Sequence, residues 1–313
     1  MFLLHSPEVR DLETFTRLPD RFRQRRHSDW SRANRGGHPT DSFLEGPVVD
    51  DQGHLFVTDI PFGRVFRIDP AGEWTQVAEY AGEPNGMKLL DSRTLLITDY
   101  QNGLMRLDIA SGKVEPFLQR RNSERFKGVN DLVFDAEGNL FFTDQGQTGL
   151  HDPTGRLYRL RPSGQLDLLL DNIPSPNGVA LSPDQKVLYL AVTRGNCVWR
   201  VPLLPDGSVA KVSQFFTSYS PSGPDGLAVD GSGRLLVANP GLGYVWVLNT
   251  RAEPEQVWRG AAGASVTNLA FGGADRRTLY VTDSTHGTVL RAALATPGLP
   301  LDRAAPPTRQ PLP

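Results

Sequence analysis

Six side chains able to ligate a cation or move a proton recur at one point of a repeated motif. Glu45, Asn85, Asn130, Asn177, Asp225 and Asn268 each stand at the head of a short apolar run, and successive heads are 40, 45, 47, 48 and 43 residues apart. Each carries a side-chain oxygen that accepts a hydrogen bond or binds a hard cation. If the fold brings the six heads to one axis, Glu45 and Asp225 meet as like charges, and one must take up a proton unless a cation lies between them. All-oxygen ligation by carboxylate and amide, with neither Cys nor His at the six positions, favours one Ca²⁺ over zinc or copper; Mg²⁺, Mn²⁺ and Zn²⁺ are the alternatives. A plainer reading is turn chemistry, because Asn and Asp bond nearby backbone and tolerate left-handed conformations, and Gly follows the head in four copies. That reading accounts for the asparagines better than for the two acids.

The elements that would position these heads are strands. After each head comes a turn rich in Asp and Gly and then a second apolar run closing on a small polar pair, as in Leu55-Phe56-Val57-Thr58-Asp59 and Leu140-Phe141-Phe142-Thr143-Asp144. A third run alternates apolar and polar residues, as in Arg64-Val65-Phe66-Arg67-Ile68, the period-two mark of a half-exposed strand. A weaker fourth run follows in most units. Four antiparallel strands repeated six times predict an all-β fold, a six-bladed β-propeller whose blades pack face to face around a channel. The expected organisation is an N-terminal extension over residues 1–40 that packs on or near the domain, a propeller over 41–295 and a proline-rich tail over 296–313.

In such a ring the first strand of each blade lines the channel, so its head faces the axis at one end. The second strand returns to that end, placing Asp59, Asp99, Tyr100, Asp144, Gln145, Arg194, Asn239 and His286 around the same mouth. The repeated Thr-Asp pair also reads as structural, its Asp bonding turn amides in blades 1, 2, 3 and 6. Blade 3 carries a long glycine-rich connection from Gln145 to Gly155 that includes His151, and long loops on a rigid scaffold tend to cover sites. His151 and His286 are therefore grouped with the expected substrate contacts. Asp131 directly follows a channel-facing residue, and strand alternation turns it away from the axis.

Composition narrows the function classes. With 33 Lys+Arg against 35 Asp+Glu, a net charge of -2 and no long run of one sign, no nucleic-acid partner is implied. The cluster Arg21, Arg23, Arg25 and Arg26 reads as part of a solvated extension in preference to a binding arm. The single cysteine, Cys197, excludes an internal disulfide framework and a thiolate metal cluster, and its apolar neighbours suggest an inert buried thiol. The Met1-Phe2-Leu3-Leu4 run is short for a signal peptide and no run is long enough to span a membrane, so a cytoplasmic protein acting on a small molecule is expected. G-x-S-x-G, P-loop and H-E-x-x-H motifs are absent from the sequence.

At Glu45-Gly46-Pro47, Asn130-Asp131, Pro176-Asn177-Gly178, Pro224-Asp225-Gly226 and Thr267-Asn268-Leu269-Ala270-Phe271-Gly272-Gly273 the chain resembles the SMP-30/gluconolactonase/LRE family, over about residues 40–295. The resemblance implies a six-bladed propeller that hydrolyses sugar lactones or related small lactones, with organophosphate hydrolysis among relatives. It implies Glu45, Asn177 and Asp225 as metal ligands, Asp225 also as acid/base, and Asn130 as a ligand or substrate contact. One departure is Gly128, where relatives acting on sugar lactones can carry arginine. The expected reaction is metal-assisted attack of water on the lactone carbonyl, with Asp225 or Asp131 as proton acceptor and Asn85 and Asn268 completing a polar floor. The alternatives are an arylester or organophosphate hydrolase, or a propeller that binds a ligand or partner without catalysis.

Overall fold

The structure, a computed structural model, describes residues 6–299; residues 300–313, most of the expected proline-rich tail, and residues 1–5 lie outside the described residues. Each short apolar run bounded by Gly, Pro and Asp becomes a strand. Blade 1 is Leu44–Val49, Leu55–Asp59, Arg64–Ile68 and Trp74–Glu79, paired antiparallel in that order. Blade 2 (Pro84–Leu89 to Val114–Leu118), blade 3 (Val129–Phe134 to Leu166–Ile173) and blade 4 (Pro176–Leu181 to Ser213–Thr217) repeat the plan. Blade 5 runs from Leu227–Val229 to Pro254–Arg259, and blade 6 contributes Val266–Gly272, Thr278–Asp283 and Thr288–Ala293. The protein is a six-bladed β-propeller.

The fourth strand of blade 6 comes from the other end of the chain. Glu13–Arg17 pairs antiparallel with Thr288–Ala293, and Glu8–Asp11 adds a parallel fifth strand to blade 5 beside Pro254–Arg259. The ring is thus closed by a non-local ladder, which covers an edge of blade 6 that would otherwise be open. Arg64, buried with Asp59 in an ion pair, also holds the carbonyl of Phe22 at 2.8 Å and so anchors the N-terminal segment to blade 1.

The core is divided among the blade interfaces. Each apolar cluster joins two neighbouring blades, as Val48, Phe56, Met87, Leu95 and Ile97 join blades 1 and 2. The cluster between blades 6 and 1 contains Leu44, Phe66 and Val289, completed by Leu18 at the end of the closing strand. Face-to-face packing is reinforced by a hydroxyl belt. Thr58 donates to the Asn85 carbonyl (2.9 Å), Thr143 to that of Asn177 (2.8 Å) and Thr193 to that of Pro224 (2.7 Å), while Thr98 donates to Asn130. The threonine of the repeated pair therefore fixes the head of the next blade's inner strand. Residues 297 and 298 pack against blades 5 and 6, the Pro297 carbonyl accepting from Gly231 N at 2.8 Å.

Because ring closure depends on Glu13–Arg17 and Leu18, deletion of residues 1–18 should cost several kcal/mol and lower the melting temperature by at least about 10 °C in a calorimetric scan. An unchanged melting temperature would show that the strand is not needed to close the ring.

Candidate functional site

The inner strands do not alternate simply at their heads. Pairing with the second strand breaks between Glu45 and Val48, Pro84 and Met87, Val129 and Leu132, Pro176 and Val179, and Val266 and Asn268. A bulge at this level lets two successive residues turn inward. Asp131 is therefore buried beside the axis, contrary to the alternation expectation: its Oδ1 occupies the space a Cβ on Gly86 of blade 2 would need, at 2.5 Å. The glycines after the heads serve this close approach between blades. Gly46 alone of the four has a left-handed φ (51°), so turn conformation does not explain the others.

Register corrects the placement of one head. Asp131 N donates to Thr143 Oγ1 while its own Oδ1 accepts from Leu132 N, and Asn268 repeats both bonds with Thr282 and Leu269. Asn268 thus sits at the level of Asp131, and Thr267 takes the head position of blade 6. The head level holds Glu45, Asn85, Asn130, Asn177, Asp225 and Thr267. Head-level carboxylates come from blades 1 and 5, and blade 3 adds Asp131 one residue further along its strand.

These acids sense one another. Glu45, 3% exposed, accepts hydrogen bonds at Oε2 from Gly46 N (2.8 Å) and Asn268 Nδ2 (2.9 Å). Burial still pushes its carboxyl up to about 7, and the charge of Asp131 adds to that. Asp225 keeps some surface open to the channel but is closely enclosed by protein. Burial first, then the charges of Glu45 and Asp131, hold its pKa well above the carboxylate range against a hydrogen bond from Asn177 and the cation of Arg194. Burial likewise raises Asp131, opposed by Lys88 and by the amides of Leu132 and Val179. Asn130 donates through Nδ2 to Gln145 Oε1 at 2.9 Å, and Gln145 in turn donates to Ser175 Oγ at 2.9 Å. The Oδ1 of Asn130 is buried with no partner among the described residues.

No group of three or more His, Cys, Asp or Glu among the described residues is arranged to hold a metal ion. Any cation here would have to draw on amide oxygens as well as acids. Two mutually repelling carboxylates and an orphaned amide oxygen form a donor set that fits a hard, oxygen-seeking divalent ion.

Around the mouth, Asp59 accepts from Phe43 N (2.7 Å), Asp99 from Gln101 N (2.9 Å), Asp144 from Gly128 N (2.8 Å) and Asp283 from Ser265 N (3.0 Å). These carboxylates serve the turns. Asn239 is buried and bonded to Ser220. Tyr100, Gln145 and Arg194, with Asn85, line a cavity of about 120 Å³. Its remaining wall includes Trp30 and Asn34 of the short helix Asp29–Asn34, which the sequence reading left within the extension. The signal for that helix was its capping box, in which the side chains of Ser28 and Ser31 bond each other's backbone amides. His286 lies 2.6 Å from Asp283 Oδ2 and its carbonyl accepts from Arg23; His151 is exposed on the blade 3 loop. Neither histidine lines the cavity. No helix among the described residues is long and apolar enough to cross a membrane.

Residues 43–285 match the family model described as SMP-30/Gluconolactonase/LRE-like region. The chain is similar to lactonase drp35 of Staphylococcus epidermidis, with 30% identity over 225 residues that cover 67% of each protein. Among solved structures it resembles the calcium-binding protein regucalcin of Agrobacterium tumefaciens (TM-score 0.74, 20% identity, 98% of this chain and 100% of that one). It also resembles a gluconolactonase of Xanthomonas campestris (TM-score 0.71, 22% identity, 95% and 99%). These two likenesses speak to the fold.

At Gly128 the backbone has φ 154° and an added Cβ would meet the Tyr100 ring at 2.5–2.7 Å. The ring fills the space that a side chain at 128 would need. Gly128→Ala should therefore destabilise by roughly 1–3 kcal/mol through overpacking and the strained φ, and the overpacking share alone should vanish in the background Tyr100→Ala. Strict additivity of the two losses in a denaturation cycle would show that the ring is not the obstacle.

Proposed function

Because the chain belongs to the SMP-30/gluconolactonase/LRE-like family, we propose that it is a hydrolase that opens a small lactone, a sugar lactone or a related ring, at the carboxylate-lined end of its channel. The observations that carry this reading are the mutual influence of Glu45, Asp131 and Asp225 and, on the same inner strand as Asp131, the buried, unpartnered Oδ1 of Asn130. A resident divalent cation, Ca²⁺ by the all-oxygen donors, would be held by Glu45, Asn177 and Asp225, with Asn130 Oδ1 as a further donor. When bound, such an ion supplies Lewis-acid polarisation of the lactone carbonyl.

The chain's own residues divide the remaining work. Glu45 is held by Gly46 N and Asn268 Nδ2, which fixes the orientation of its carboxylate. Asp225 is enclosed by protein yet keeps part of its surface exposed, so its carboxylate is accessible to a water molecule. It accepts the proton of the attacking water as the water oxygen bonds the carbonyl carbon. The C–O bond of the ring then breaks, and the same proton passes to the departing ring oxygen. The product is an open-chain hydroxy acid and the carboxylate is restored. Asp131 is less suited to this step, since amides of Leu132 and Val179 already bond it. Asn85, Tyr100, Gln145 and Arg194 line the adjoining cavity and would orient the ring.

A panel of γ- and δ-lactones followed in a pH-stat, with arylesters and an organophosphate alongside, tests this reading. Lactone turnover should disappear on chelation and return with Ca²⁺. Asp225→Asn should lower kcat by about 10²–10⁴-fold, as loss of a general base does. Asn268→Leu, which removes the support of Glu45 and the acceptor of Leu269 N, should cost about 10–100-fold with the fold intact by circular dichroism. Absence of chelator-sensitive turnover on every lactone would overturn the proposal, and turnover of arylesters or the organophosphate alone would assign the site to that chemistry.

A further inference from the structure

The helix Asp29–Asn34 does more than wall one cavity. Beyond its C-terminal end, Arg35 enters a second, wider groove of about 830 Å³ that spreads over blades 5 and 6. Its lining comes from mouth-side connections: Ser222 lies in the approach to Asp225, Pro240–Gly241 follow the second strand of blade 5, and Gly260–Ser265 lead into Thr267. The groove therefore opens on the same end of the ring as the carboxylates, on the side away from Tyr100 and Gln145.

The charges of this groove do not cancel. Arg259 is engaged by Asp11 at 2.9 Å. Arg35 has no carboxylate within ion-pair distance among the described residues, and its guanidinium lies 5.0 Å from the ring of Phe43 and 5.9 Å from that of Trp30. Aromatic packing holds the planar cation in place while leaving it exposed to solvent. A pre-positioned guanidinium with no carboxylate partner can form a charge-assisted, bidentate pair with a ligand anion. The amides of Ala261, Ala262 and Gly263 in the same lining donate no hydrogen bond within the described residues, and so add unused donors.

We propose that this groove is an anion subsite in which Arg35 binds a carboxylate or phosphate substituent of the substrate, so that the preferred substrate is an acid-bearing lactone. The inference rests on the lactonase reading and deepens it. Arg35 would act as a binding residue for the substituent, remote from the reacting atoms.

The test compares a γ-lactone carrying a ring carboxylate with the unsubstituted γ-lactone, for the wild-type chain, Arg35→Gln and Arg35→Lys, all checked for intact folding by thermal melting. Arg35→Gln should reduce kcat/KM for the acid-bearing lactone by about 10- to 100-fold, the worth of one charge-assisted pair. The loss should fall in KM, leave the neutral lactone unchanged and be largely recovered in Arg35→Lys. Equal effects on the two lactones, or no effect on either, would overturn the subsite. If the wild type turns over neither these two lactones nor any other of the panel, the hydrolase reading fails, and calorimetric titration with the ring-opened diacid then decides the subsite. Binding that is lost in Arg35→Gln upholds it; binding that is equal in both, or absent from the wild type, ends it.

Discussion

Closing six blades into a ring forces the heads of six strands towards one axis, and at that end blades 1, 3 and 5 contribute Glu45, Asp131 and Asp225. Two unit charges 4 Å apart repel by about 4 kcal/mol at an effective dielectric of 20, a large share of a net stability of roughly 5–15 kcal/mol. Burial first, with this repulsion added to it, raises the carboxyls of Glu45 and Asp225. A chain that keeps three acids there can meet the cost by retaining protons or by holding a cation. The orphaned Oδ1 of Asn130 and the amide of Asn177 give the second solution its remaining donors.

Much of the rest of the molecule serves to hold that arrangement against its own repulsion. The hydroxyl belt ties the start of the inner strands of blades 2 to 5 to the blade before each. The bulges turn a second residue inward, and Gly86 and Gly226 leave the space that Asp131 and Asn268 occupy. The N-terminal strand closes the ring, and the segment behind it brings Trp30, Asn34 and Arg35 over the mouth. Ring closure and substrate access are thus built from the same forty residues, which couples stability to the shape of the site.

The propeller was legible because its strands are local and repetitive: the period-two runs, the Asp-Gly turns and the Thr-Asp pairs recur at near-constant spacing. Five of the six heads were legible for the same reason. Blade 6 was misread by one residue because its asparagine was matched by type; aligning Leu269-Ala270-Phe271 with Leu132-Val133-Phe134 places Thr267 at the head. Asp131 was turned away by an alternation rule that a bulge suspends. The closing strand Glu13–Arg17 carries little apolar signal, and its pairing with Thr288–Ala293 is set by tertiary closure across almost the whole chain. The helix carrying Trp30 has only six residues, too few for a periodic face.

The central claim is that the carboxylates are arranged for a cation on the propeller axis. The most direct measurement is a crystal structure of the full chain grown with Ca²⁺ and compared with one grown in chelator. The account predicts an ion bonded to oxygens of Glu45, Asn177 and Asp225 at about 2.3–2.6 Å, absent from the chelated crystal. Water alone on the axis in both crystals, with the carboxylates hydrogen-bonded to one another through shared protons, would contradict it.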